Sequence, residues 1–85
     1  MDEQELRVLI NELGINQDTI VQITYSENNT ITEQLYQINF FTITGLPAIQ
    51  DGRIGVRVQR IIGAAFQPVV NGIEIAGITQ IILSN

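Results

Sequence analysis

Three of the chain's four arginines fall within eight residues, Arg53-Ile54-Gly55-Val56-Arg57-Val58-Gln59-Arg60. As a strand this run places Ile54, Val56 and Val58 on one face and Arg53, Gly55 and Arg57 on the other. Arg53 and Arg57 would then stand ~13 Å apart at the usual strand rise, with Gly55 leaving a notch between them. A planar guanidinium suits bidentate capture of a carboxylate or phosphate, so Arg53, Arg57 and Arg60 are the candidate residues for partner or anion binding. The competing reading is the solvated outer face of a sheet.

Little else is equipped for chemistry. The chain has no lysine, histidine, cysteine or tryptophan. A zinc site would therefore need carboxylates alone, and a disulfide framework is excluded. Ser26 and Ser84 have no histidine or lysine to act as a base. Asp2, Glu3, Glu5 and Glu12 belong to the solvated face of a helix, and Asp51 belongs to a turn. Glu74 is the only charge between Ile61 and Leu83. Ile73 and Ile75 alternate against it, so it is expected to point outward as a guard against sheet-to-sheet association. No catalytic residue, metal or cofactor is assigned, and the chain is expected not to be an enzyme.

Charge is unevenly placed. Residues 1–33 carry seven acids against Arg7, a net −6, whereas residues 34–85 carry Arg53, Arg57 and Arg60 against Asp51 and Glu74, a net +1. An acidic chain without lysine is poorly suited to non-specific nucleic-acid binding, which needs many cations on phosphates. The acidic N-terminal segment has no basic region of the kind that opens a signal peptide. The most apolar stretch is interrupted by Pro68, Asn71-Gly72 and Glu74, so it is not a membrane-spanning helix. A cytoplasmic location without membrane contact is the expectation.

The elements that must position these residues follow from periodicity. Residues 2–13 read as an amphipathic helix with Leu6, Leu9, Ile10 and Leu13 on one face. Asp2 and Glu5 have capping-box spacing, and Gly14 followed by Ile15 fits the C-terminal cap. Beyond residue 18 the period becomes two. Val21, Ile23 and Tyr25 alternate with polar residues, and Ser26 to Thr30 supplies a turn. The run from Ile31 to Thr44 reads as a strand whose phase flips at a bulge near Phe40-Phe41. A helix competes over Ile31 to Ile38, because Thr30 to Glu33 also has capping-box spacing. The β-branched and aromatic content favours the strand.

Asp51-Gly52 predicts a tight hairpin pairing Gln50 with Arg53, Ile49 with Ile54 and Ile43 with Arg60, irregular near Pro47. Asn71-Gly72 predicts a second hairpin with Val70 facing Ile73. Gly77 predicts a bulge or bend before the closing strand.

One helix and about five antiparallel strands (helix 2–13, β-rich from 18 to 84) make a single small α+β domain over residues 1–85, a bent sheet or a small barrel. This order is similar to that of the Sm-like and SH3-like small barrels, with Val21 to Thr44 in the place of their first long hairpin. That resemblance is one of pattern over about half the chain. It carries no motif or functional residue across.

Fourteen of the twenty-three residues from Ile61 to Leu83 are apolar, more than a small sheet and one helix are expected to cover. Ile73, Ile75, Ile78, Ile81 and Leu83 are therefore the candidate self-association residues. The functional expectation is a structural or interaction module that forms a homo-oligomer or binds a protein partner through these strands and the arginines. The alternative is an Sm-like ring binding single-stranded RNA or another nucleic acid through Arg53, Arg57 and Arg60.

Overall fold

In a computed structural model of the chain, which describes residues 1–84, helix α1 spans Glu3–Glu12 and both of its ends close as the sequence requires. The Glu5 N–H donates to the Asp2 carboxylate at 2.8 Å and the Asp2 N–H donates to the Glu5 carboxylate at 3.2 Å. Two otherwise free helix donors are thereby satisfied reciprocally. At the other end Gly14 takes φ +65°. The N–H groups of Gly14 and Ile15 then reach back to the carbonyls of Asn11 and Ile10 at 3.2 and 3.0 Å. That cap turns Ile15 inward, where it is buried with Leu6 and Ile10.

Strands β1 (Val21–Glu27) and β2 (Thr30–Ile38) form a hairpin paired from Val21 opposite Tyr36 to Glu27 opposite Thr30. Asn28 and Asn29 both have positive φ, 52° and 63°, the turn geometry whose twist matches the flanking strands. Residues 31–38 are thus strand rather than helix.

The strand does not continue to Thr44 through a bulge. It ends at Ile38, and residues 39–48 fold into a loop closed by its own backbone. Phe41 N–H donates to Leu46 C=O at 2.8 Å, Gly45 N–H to Phe41 C=O at 2.9 Å and Ala48 N–H to Asn39 C=O at 2.9 Å. Phe40 meets Pro47 in an isolated bridge. The apparent change of phase had no second buried face behind it, since Ile43 at the loop tip is 96% exposed.

Strands β3 (Ile49–Gln50) and β4 (Arg53–Ile54) pair through the Asp51-Gly52 turn with Gln50 opposite Arg53 and Ile49 opposite Ile54. The longer register that would bring Ile43 to Arg60 is not formed, because the chain changes sheets at Gly55. Strand β5 (Val56–Gln59) pairs with β2, from Ile38 opposite Val56 to Leu35 opposite Gln59. Strand β6 (Gln67–Pro68) pairs with β5, whereas β7 (Ile73–Glu74) pairs with β4. Asn71-Gly72 is therefore a turn between sheets and not the tip of a two-stranded hairpin. A side chain on Gly72 would run into the Ile54 carbonyl, and that close approach fixes where the crossing occurs.

The break expected at Gly77 is a short 3-10 helix over Ile75–Gly77, followed by β8 (Ile78–Leu83). β8 pairs with β1 and carries one extra residue, Thr79, between Ile78 opposite Tyr25 and Gln80 opposite Thr24. The architecture is α+β: a five-stranded sheet in the order β6-β5-β2-β1-β8 and a three-stranded sheet in the order β3-β4-β7. The two sheets do not close into a barrel. Side chains from the helix, both sheets and the 3-10 turn bury together in one cluster.

Gly77 shows how tightly the last turn is seated, since a Cβ there would overlap the Ser26 carbonyl oxygen. Gly77→Ala is expected to lower stability by about 1–3 kcal/mol, read from urea denaturation. A loss below about 0.5 kcal/mol would mean that the turn is free to move away.

Candidate functional site

The arginine run supplies the only cluster of strong, specific donors in the chain, and the fold divides it. Arg53 lies at the start of β4, opposite Glu74 on β7. Its Nε donates to Asn71 C=O at 2.6 Å, and one terminal nitrogen donates to the Glu27 carboxylate at 3.1 Å and to Gly72 C=O at 3.3 Å. The other terminal nitrogen is 3.9 Å from the Glu74 carboxylate. Both carboxylates are well exposed, so the ion pairs are worth little by themselves. The two carbonyls matter more, because the fork holds the inter-sheet turn against the tip of the β1–β2 hairpin.

Arg57 belongs to the other sheet. A terminal nitrogen donates to Gln17 C=O at 3.1 Å, and its buried Nε has no partner among the described residues. Gln37, opposite Arg57 on β2, donates to Asp18 C=O at 3.4 Å. These two side chains together tie the 16–19 loop to the sheet. Arg60 lies in the exposed bend after β5 and has no hydrogen bond or ion pair among the described residues.

Burial still alternates along the run, with Ile54, Val56 and Val58 buried and Arg53, Gly55 and Arg57 partly exposed, but the two arginines are taken up by separate backbone partners. The notch at Gly55 is narrowed by the 39–48 loop. A Cβ on Gly55 would lie 3.3 Å from the Asn39 side-chain nitrogen and 3.5 Å from the Ala48 carbonyl oxygen. The ends of the 39–48 loop pack against Gly55, and an open hollow beside them is lined by Phe41, Arg53, Gly55, Asn71 and Gly72. Alternation along a strand cannot reveal this, because it is unchanged when the strand passes from one sheet to another.

Tyr25 and Tyr36 do not form a stacking platform. Tyr36 is buried, with its ring 6.3 Å from that of Tyr25 at 57° and its hydroxyl donating to the Tyr25 hydroxyl at 3.2 Å. Burial pushes the Tyr36 phenol far above its ordinary value. The hydrogen bond and the charge of Tyr25 add to that shift, and the nearby Arg60 guanidinium opposes it.

Of the residues expected to make a self-association surface, Ile73, Ile75, Ile78 and Ile81 are buried in the chain's own core. They are not available as a surface in the folded chain, because strand phase and the 3-10 turn direct all four inward. Leu83 alone of the five is partly exposed, at 42%. The apolar surplus lies elsewhere, at Ile61 (72% exposed) and Ile62 (89%) in the β5–β6 loop, at Val70 (86%) in the inter-sheet turn, and at Ile82 on β8. A signal existed for the first of these. Two adjacent isoleucines cannot both face inward from a strand, and Gly63-Ala64-Ala65 follows them.

Glu74 is exposed on an edge strand of the three-stranded sheet, pointing outward as alternation implies. Among the described residues no group of three or more acidic side chains is placed to hold a metal ion, and no helix is long and apolar enough to cross a membrane. No protein-family model, curated protein or solved structure matches the chain.

Two outcomes test this geometry. Arg53→Met keeps an unbranched apolar stem but leaves the Asn71 and Gly72 carbonyls without their donor. It is expected to lower stability by about 1–2 kcal/mol, measured by urea denaturation. The second outcome concerns Tyr36. A phenol whose pKa is raised on folding stabilises the fold fully below its unfolded value of about 10, and that contribution shrinks as pH rises beyond it. Stability of the parent chain is expected to fall above about pH 10, and Tyr36→Phe is expected to flatten that fall. Urea midpoints across that range provide the measurement.

Proposed function

We propose that this chain is a non-enzymatic structural or interaction module that works by associating with further copies of itself through apolar surface of its C-terminal half. The observation that supports this reading is the placement of Ile61, Ile62, Val70, Ile82 and Leu83 at the surface in a domain of 85 residues. Apolar side chains scattered singly over a surface are ordinary. Here, the exposed pair Ile61-Ile62 in one loop, with Ile82 and Leu83 on opposite faces of an unpaired sheet edge, favours an interface instead. The composition argues in the same direction, since the chain lacks the histidine, cysteine and lysine that most acid–base and nucleophilic chemistry uses. Arg53 and Arg57 have structural partners within the chain, which weakens the case for nucleic acid as the target.

Light scattering over a concentration series separates the possibilities. Average mass is expected to rise between low and high micromolar protein, and to do so equally at about 0.5 M salt, because apolar association is not screened by ions. Binding to single-stranded RNA would instead weaken steeply with salt. A strict monomer at high micromolar concentration removes the reading.

A further inference from the structure

The five-stranded sheet ends on β6 at one side and β8 at the other, and the two edges are unequally protected. β6 has two residues, one of them Pro68, which has no N–H to offer a further strand. In the smaller sheet β3 has two residues, and β7 carries Glu74 beside Arg53. β8 runs for six residues, Ile-Thr-Gln-Ile-Ile-Leu, with neither charge nor proline. Every other strand of four or more residues contains a charged side chain. Charges and prolines are the usual means of blocking an edge, and β8 lacks both.

The phase of β8 shows which backbone groups are free. Ser84 N–H donates to Ile20 C=O at 2.9 Å, one step beyond Leu83 opposite Val21. Hydrogen-bonded and non-bonded pairs alternate in an antiparallel ladder. Ile82 therefore turns its N–H and C=O toward β1, whereas those of Ile81 and Leu83 point away from the sheet. The Met1 ammonium sits on Ile78 C=O at 3.3 Å, and the Thr79 bulge ends regular pairing just after it. The usable edge is Gln80 to Ser84.

We infer that this edge pairs with the same edge of a second copy, antiparallel about a two-fold axis through Ile82, joining two five-stranded sheets into one. The inference rests on the self-association proposed above and names its site. In a two-fold pairing the residue on the axis meets its own copy, so a charge there would oppose a like charge; β8 carries no charge. With the axis at Ile82, Ile81 pairs with Leu83 of the copy and exchanges both backbone bonds, and Ile82 meets Ile82. Every cross-strand contact at the centre is then apolar. Moving the axis to Ile81 sets Ile82 against Gln80 and Leu83 against Thr79, whose hydroxyl already bonds Thr24 C=O at 3.2 Å. The first register also covers Ile82 and Leu83, which stand 43% and 42% exposed. So short a contact makes a weak, reversible dimer.

Sedimentation equilibrium of the parent chain, Ile82→Glu and Ile82→Cys tests this, with circular dichroism to establish that each variant folds. Ile82→Glu is expected to remain monomeric where the parent associates. Ile82→Cys, the only thiol in its chain, is expected to form a covalent dimer under mild oxidation roughly tenfold faster than Gln80→Cys, because only the axial position brings equivalent sulfurs into range. Amide exchange at Ile81 and Leu83 is expected to slow as the parent's concentration rises. If the parent associates but Ile82→Glu associates equally, or the two thiols oxidise at equal rates, the β8 pairing is overturned while self-association stands. A monomeric parent overturns both and leaves the edge to a strand from another chain.

Discussion

Gly55 is the corner on which the fold turns. Before it, Arg53 and Ile54 pair with β3 and β7; after it, Val56 to Gln59 pair with β2 and β6. A strand that changes sheets threatens to leave its corner amide unpaired, and a buried unpaired amide is costly. Here the Gly55 N–H donates to Ala48 C=O and its C=O accepts from Asn39 N–H, both at 2.9 Å. The two bonds come from the closing ends of the 39–48 loop. That loop is therefore part of the sheet junction and not an ornament on it. A Cβ at Gly55 would meet the Asn39 side-chain nitrogen at 3.3 Å, so the loop ends are seated closely on the corner.

The corner also decides what the arginines do. Had the strand continued straight, Arg53 and Arg57 would have shared a face and framed a gap between them. With the change of sheets at Gly55, each instead finds backbone carbonyls of its own, Asn71 and Gly72 for Arg53 and Gln17 for Arg57. Guanidinium groups are well suited to this work, since their donors are fixed in a plane and remain charged at any ordinary pH. Arg53 spans the inter-sheet turn and the β1–β2 hairpin, while Arg57 holds the loop after the helix. Their residue type is one that recognition sites favour, and the same geometry makes them effective cross-links within a small domain.

What was legible in the sequence was local. The capping box at Asp2 and Glu5, the left-handed Gly14, and the turns at Asn28-Asn29 and Asp51-Gly52 each depend on a few neighbouring residues, and each formed as spaced. The strand nature of residues 31–38 was legible too, through side chains that fit a pleated surface. What could not be read was set by residues far apart in the chain. Period-two alternation shows which side chains face inward but not which sheet they face inward from. The division at Gly55 and the parting of β6 from β7 at the Asn71-Gly72 turn were therefore invisible. The Phe40-Phe41 phase change failed for a related reason: Phe41 and Ile43 are apolar without being buried, and pattern alone treats the two as the same.

The apolar excess of the C-terminal half resolves into two kinds of surface. Ile73, Ile75, Ile78 and Ile81 go to the core, leaving Ile61, Ile62 and Val70 in loops and Ile82 and Leu83 on β8. The distinction matters because burial of apolar area is non-directional. Side chains at a loop tip can be covered by almost any apolar surface and impose little orientation on it. Side chains on a strand edge stand beside backbone donors and acceptors at fixed spacing, so whatever covers them must be extended and in register. In a protein with so few charges on its last strand, direction comes from the backbone and the side chains supply only adhesion. An edge of that kind selects for conformation first and sequence second, which is why its lack of a blocking charge carries more information than its hydrophobicity.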